Sequence, residues 1–419
     1  MVLNNNLQQY KSTKLKCFFL VFFFISQYLL ATVGFAGISI RIYVLMGLMV
    51  YALFVNGLKK INICFKYYIV YLLFYICICA INGDMFTADF SKNMLSYHIL
   101  SIATYLVYVC IIRNEKELNL LLVLIIILCL FNSFVTILQF HNIPIGWSIG
   151  NFFGVDSESA ELYLDAHGND SFLNAAFSAG INGNAVVNGY FMASFFPVMI
   201  YGIWSKSIWK RMIGYFCTIV GLYTIFCIQQ RMALICVALY MIYVFYYKVS
   251  TSKISLFIAL LALLFLYLWD FSSDNYDFGR LSSQTDNSAR LTLIDGLFVF
   301  FQNGDVLFGG FEKYLSLGFQ GQHNTFFDVV TRAGLIGLVV FIIYFFKTLN
   351  YVTYHINIRK PSLQTSLCFS VIIYILYSQT HSTGIQSGIT FYWSIIAMID
   401  LCNIYKSEVT VQNSLYRNE

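Results

Sequence analysis

The residues with most chemical potential lie in His323-Asn324-Thr325-Phe326-Phe327-Asp328-Val329-Val330-Thr331-Arg332-Ala333-Gly334-Leu335-Ile336-Gly337. An imidazole stands beside an amide able to orient it, and its ordinary pKa of about 6.5 lets it take a proton near neutrality. Asp328 and Arg332 follow, four residues apart, at the spacing of a helical acid–base pair, structural or supporting. Gly334 and Gly337 offer a small face for close helix packing. Arg231, Arg280 and Arg290 add planar guanidinium forks suited to phosphate. Each has a plainer reading: Arg231 as an end-cap at the membrane surface, Arg290 on an amphipathic surface segment, Arg280 beside Asp274 or Asp277. His381, in Gln379-Thr380-His381-Ser382, is a second candidate imidazole. Asp165, His167 and Asp170 lack a diagnostic metal spacing and read as a solvated loop, so no metal is expected.

The elements that position these residues are set by hydropathy. Hydrophobic residues make up 59% of the chain and charged residues 11%, against about 25% charged in soluble domains. Apolar runs near the roughly 20 residues of a membrane-crossing helix recur throughout. They predict an all-α polytopic membrane protein, a single membrane domain over 1–419 with about twelve spans. The expected spans are 17–35, 38–57, 66–82, 95–112, 118–140, 186–205, 211–229, 232–248, 254–270, 329–347, 362–379 and 385–405. Phe18–Leu30 follows a basic lead but no convincing cleavage site, and it reads as the first span. Two polar stretches are too long for turns, 141–185 and 271–326.

Charge orients this map. With both termini cytoplasmic, eighteen of the 25 basic residues fall inside and seven outside, in the sense of the positive-inside rule. Both long loops then face outward, and the few outward cations are mostly arginines, including the four named above. The eleven cysteines lie within or at the ends of apolar runs and read as small hydrophobes. No P-loop is present, and no Asp-x-Asp pair stands in an outward position, so no cofactor is expected.

His323-Asn324, nine residues, then Gly334-Leu335-Ile336-Gly337 resembles the histidine signature of O-antigen polymerases and O-antigen ligases, bacterial envelope glycan enzymes. Ser288-Ala289-Arg290-Leu291 running into Val306-Leu307-Phe308-Gly309-Gly310 resembles that family's arginine-led segment and glycine turn. Gln229-Gln230-Arg231-Met232-Ala233-Leu234 is similar to its outer helix opening, with glutamines in place of the usual serine. Gly180-Ile181-Asn182-Gly183-Asn184 resembles its lead into the next helix. The chain departs in its first loop, where Phe177-Ser178-Ala179 replaces a common arginine and the charges are acidic: Asp156, Glu158, Glu161, Asp165 and Asp170.

The resemblance implies a GT-C-like glycosyltransferase of the bacterial inner membrane with two large periplasmic loops. Its donor would be an oligosaccharide on undecaprenyl diphosphate, with membrane lipid and a chain-length regulator protein as partners and no nucleic acid. His323 would be the base and Asn324 its orienter. Arg231, Arg290, Arg280 and Arg332 would bind the diphosphate, supported by Asp328 and His381. A repeat-unit polymerase is the favoured reading, since an acidic first loop suits the anionic lipid A core of a ligase poorly. A polysaccharide-lipid transporter is the further alternative. It would place charges within the spans, where Asp400 is the main one.

Overall fold

A computed structural model of the chain describes residues 21–22, 24–25, 34–35, 38–56, 61–87, 90–91, 94–112, 114–141, 143–153, 178–182, 185–248, 288–302, 306–317, 324–357, 361–379 and 390–415. The helices are α1 (Ile40–Asn56), α2 (Ile63–Asn82), α3 (Leu100–Ile111), α4 (Glu115–Phe140), α5 (Pro144–Phe152), α6 (Ala185–Met199), α7 (Ile208–Ile228), α8 (Arg231–Lys248), α9 (Ser288–Gln302), α10 (Phe311–Ser316), α11 (Thr325–His355), α12 (Leu363–Ser378) and α13 (Thr390–Leu415). A π-helical turn, Met94–Ile99, leads into α3, and a 3₁₀ turn, Tyr201–Trp204, extends α6.

Among the described residues, five helical segments are long and apolar enough to cross a membrane: Ile63–Asn82, Glu115–Phe140, Ala185–Trp204, Ile208–Ile228 and Thr325–His355. Five shorter apolar helices accompany them. Their outward faces are as greasy as their inward ones. Trp209, Ile213, Phe216 and Ile219 of α7 are exposed, a face that lipid would cover favourably. This is the build of a membrane-spanning protein. Inside, Tyr68, Tyr105, Tyr344, Tyr392 and Trp393 are fully buried, with the Phe65 and Tyr105 rings stacked 4.2 Å apart.

Local signals explain where helices begin. Asn62, Asn114 and Ser362 accept hydrogen bonds from Phe65 N, Glu117 N and Thr365 N, capping α2, α4 and α12. Gly83, at φ 79°, ends α2. Several expectations need correction. Gly34 and Phe35, placed at the end of the first span, pair in extended conformation with Ser39 and Ile38, so no helix continues through them. Residues 21–22 and 24–25 of that span are helical; its remaining residues and the ninth span, 254–270, lie outside the described residues. The tenth span is longer than expected and interrupted at Gly334. The first long loop carries a helix, α5, begun by Pro144 at its first position.

Polar clusters mark the bundle's two ends. At one, Asp400 accepts from Asn62 Nδ2 (2.7 Å), the Tyr105 hydroxyl (2.6 Å) and the Tyr351 hydroxyl. Asn403 then links Tyr351 to His355 and receives Gln364. The one prominent charge inside the expected spans therefore ties four helices together through its hydrogen bonds. The other end carries the candidate site.

Candidate functional site

Asn324 fixes where the histidine motif sits. Its Oδ1 accepts from Phe326 N (2.9 Å) and Phe327 N (3.3 Å), so it is the N-cap of α11. Its Nδ2 donates to the Gln379 carbonyl (3.1 Å), while Thr325 Oγ1 donates to the Ser378 carbonyl (2.9 Å). The amide expected to orient a histidine is thus engaged in starting α11 and joining it to the end of α12. Nearby, the Tyr377 hydroxyl donates to Val186 O, and Gly189 lies against both Tyr377 and Gln230. The start of α6, the turn before α8, the end of α12 and the start of α11 therefore meet at one end of the bundle.

His323, Arg280 and His381 lie outside the described residues. Arg290 is the third residue of α9, its side chain also outside them. Arg231 is exposed at the first position of α8. Arg332 is brought together with Asp328: its Nε donates to both carboxylate oxygens, 3.0 Å from each. The carboxylate is 2% exposed and the arginine 23%. The guanidinium also stacks on the Phe311 ring, 3.8 Å from its centroid, within reach of the Tyr75 hydroxyl. Arg332 is thus held on three sides by protein.

Its position depends on a break in α11. Gly334 has φ 62° and ψ −167°, a combination essentially confined to glycine, which corrects its reading as a packing residue. The interruption frees backbone groups that would otherwise be unpaired in the apolar interior. Residues 306–310 supply partners: Leu335 N donates to Val306 O (2.9 Å), Ile336 N to Leu307 O (3.2 Å), and Gly310 N to Thr331 O (3.0 Å). On the opposite side, Asn82 Nδ2 donates to Phe308 O (2.9 Å), and Phe311 N donates to the Asp84 carboxylate. The glycine turn is therefore wedged between the end of α2 and the break in α11, and it delivers Phe311 to Arg332.

A cleft opens beside this wedge, lined among others by Tyr75, Asp84, Phe90, Phe311, Glu312 and Arg332. Burial raises the Asp84 pKa, against the lowering effects of the Phe311 N–H and the Arg332 charge. The sequence reading missed Asp84, Glu312 and Tyr75. The available signal was the spacing of Asn82 and Asp84 around Gly83, a polar helix ending on the side the charge pattern predicts to be outward. Also missed was His98, buried and hydrogen-bonded to the Tyr68 hydroxyl at 2.8 Å, in the π-helical turn.

A second polar knot anchors the end of the first long loop. Asn132 Oδ1 accepts from Ile181 N (3.0 Å), and its Nδ2 donates to Asn188 Oδ1 (2.7 Å). Asn188 Nδ2 donates to Thr136 Oγ1 and Ser178 O, each at 3.0 Å. Gln139 exchanges two bonds with the Gly180 backbone. The asparagine-rich stretch is thus a clasp holding residues 178–182 against α4. No protein-family model matches this chain, and no curated protein sequence matches it.

Proposed function

We propose that the protein is a membrane glycosyltransferase that polymerises surface-polysaccharide repeat units on the outer face of a bacterial inner membrane. The observation that carries this reading is Asn324 as N-cap. Asn324, which follows His323 in the sequence, caps a membrane-spanning helix at the bundle end that also bears Arg231, and this supports the reading. That is the placement the resemblance to O-antigen polymerases requires of its histidine and arginine. The charge asymmetry of the sequence makes this end periplasmic, with about twelve spans and cytoplasmic termini.

In the proposed reaction, His323 takes the proton of an acceptor sugar hydroxyl. The resulting oxygen nucleophile attacks the anomeric carbon of the donor, and the bond from that carbon to the lipid diphosphate breaks. Arg231 and Arg290 bind the departing diphosphate as its charge develops. A base so placed is worth typically about 10²–10⁴ in rate. Asp328 and Arg332 have a different part: they secure the break in α11 and the wedge that rests on it. A ligase would use the same donor and differ only in its acceptor.

Gel banding of surface polysaccharide from a strain lacking the gene tests the reading. A core bearing a single repeat is expected. A bare core with polymer retained on its lipid carrier would assign ligation instead, and an unchanged ladder would contradict both.

A further inference from the structure

The cleft beside the glycine wedge has a pre-formed rim. Thr87 Oγ1 donates to the Asp84 carbonyl (2.8 Å) and accepts from Phe90 N (3.1 Å), which fixes the turn after α2. The Phe90 ring stands 6.2 Å from Tyr75 at an interplanar angle of 31°. Phe311 is held by Arg332 on its ring and by the hydrogen bond from its N–H to Asp84. Three rings and two carboxylates, Asp84 and Glu312, thus line a space of about 300 Å³ including its open mouth, the small end of the range for ligand pockets.

Charge narrows what this space can take. Arg332 is the only cation among the described lining residues, and Asp328 already engages it. The two carboxylates leave the cleft acidic, which opposes a diphosphate. Glu312 makes no side-chain hydrogen bond or ion pair among the described residues, so its oxygens are free to accept. A sugar ring answers this lining. Its C–H face packs on aromatic carbon, and its hydroxyls donate to ionised carboxylates in the stronger class of hydrogen bond.

Two features favour an acceptor sugar carried on lipid. Met85 and Phe86, between the rim residues Asp84 and Thr87, are 40% and 88% exposed, an apolar edge that suits a lipid tail. The cleft also lies where α11 meets α2, whereas Arg231 begins α8, which packs against α6 and α12. Arg332 follows Asn324 by eight residues along α11, about 12 Å at the helical rise, a distance that a short oligosaccharide covers.

We infer that this cleft is the acceptor-sugar subsite, with Glu312 as its specificity-determining residue and a lipid-linked repeat unit as its ligand. The inference rests on the function proposed above, which assigns residues to the donor and the base and none to the acceptor.

The test uses the full chain in lipid nanodiscs. The probe is the repeat-unit oligosaccharide, freed by mild acid from the lipid carrier of the strain lacking the gene, with binding followed by calorimetry. The parent should bind it saturably, and Glu312→Ala should bind it about ten-fold more weakly, as the loss of a hydrogen bond to a charged group predicts. Glu312→Ala should keep the parent's thermal midpoint, since no contact within the protein is lost. Phe90→Leu, which keeps an apolar side chain and removes the ring, should weaken binding by a smaller factor. If both variants bind as the parent does, the cleft is overturned as the sugar site while the proposed transferase stands. Inorganic pyrophosphate binding that Glu312→Ala strengthens would assign the cleft to the diphosphate and overturn the inference as well. If the variants weaken binding but the parent lengthens no glycan in vesicles, the cleft stands and the transferase falls. A parent that binds no oligosaccharide overturns the inference whatever its activity.

Discussion

Arg332 Nε donates to both carboxylate oxygens of Asp328 one helical turn earlier, at 3.0 Å each, while its guanidinium lies flat on Phe311. The pair closes the first segment of α11 just before its break. An i,i+4 pair on an exposed helix contributes only a few tenths of a kcal/mol, but here the carboxylate is buried. Truncating one partner leaves an uncompensated charge, which is the expensive event.

Arg332→Ala should therefore destabilise the protein by about 3 kcal/mol. The double variant Arg332→Ala/Asp328→Ala should cost less than the single one, because no buried charge is stranded. Thermal midpoints in detergent for the two singles and the double check this. Strict additivity would mean that the pair is not coupled, and that Arg332 is held by Phe311 and Tyr75 instead.

Gly334 and Gly309 are required by geometry. A Cβ on Gly334 would lie 2.2 Å from the Leu307 carbonyl oxygen, and one on Gly309 would lie 2.5 Å from Gly334 N. Gly334→Ala should cost about 1–3 kcal/mol from backbone conformation alone, with the clash in addition. Gly47→Ala is the control, since nothing lies within 4 Å of a Cβ there. Folded yield and thermal midpoint should fall for positions 334 and 309 and hold for 47.

Asp84 gives a pH signature. Burial holds its folded pKa above the unfolded value, so the folded state binds the proton more tightly and acidification favours folding at this site. Above both values the ionised carboxylate carries its desolvation cost, and Asp84→Asn removes it. The variant should be more stable than the parent at pH 7.5, with the advantage shrinking towards pH 4 as the parent protonates. An advantage that grew on acidification would show the ionised carboxylate to be stabilising instead.

Much of the bundle was legible in the sequence because burying a helix in lipid requires little beyond a long apolar run. The asparagines that start helices, Asn62, Asn114 and Asn324, were not legible as caps: the first two carry no signal of their own and Asn324 reads as the orienter of His323, because a cap shows only once the helix start is fixed. What else was not legible depends on contacts distant in sequence. Val306–Gly310 is a plausible glycine turn to the eye, but its place in the break of α11 follows from backbone bonds to Thr331, Leu335 and Ile336. Gly334 looks like a packing glycine until its φ is known. The Asn132–Asn188 clasp spans 56 positions, and each asparagine alone resembles an ordinary polar residue in or near a span. The arginines stood out by the side of the membrane that the charge pattern predicts for them, whereas the partners of Arg332, Phe311 and Tyr75, required the fold.

The central claim is that His323 serves as the base in glycan transfer. The most direct measurement reconstitutes the purified protein in vesicles with lipid-linked oligosaccharide extracted from the deletion strain, and follows chain length over time. The parent protein should lengthen the glycan with release of lipid diphosphate. His323→Ala should be slowed about 10²–10⁴-fold at an unchanged thermal midpoint. Lengthening by His323→Ala at the parent rate would contradict the account.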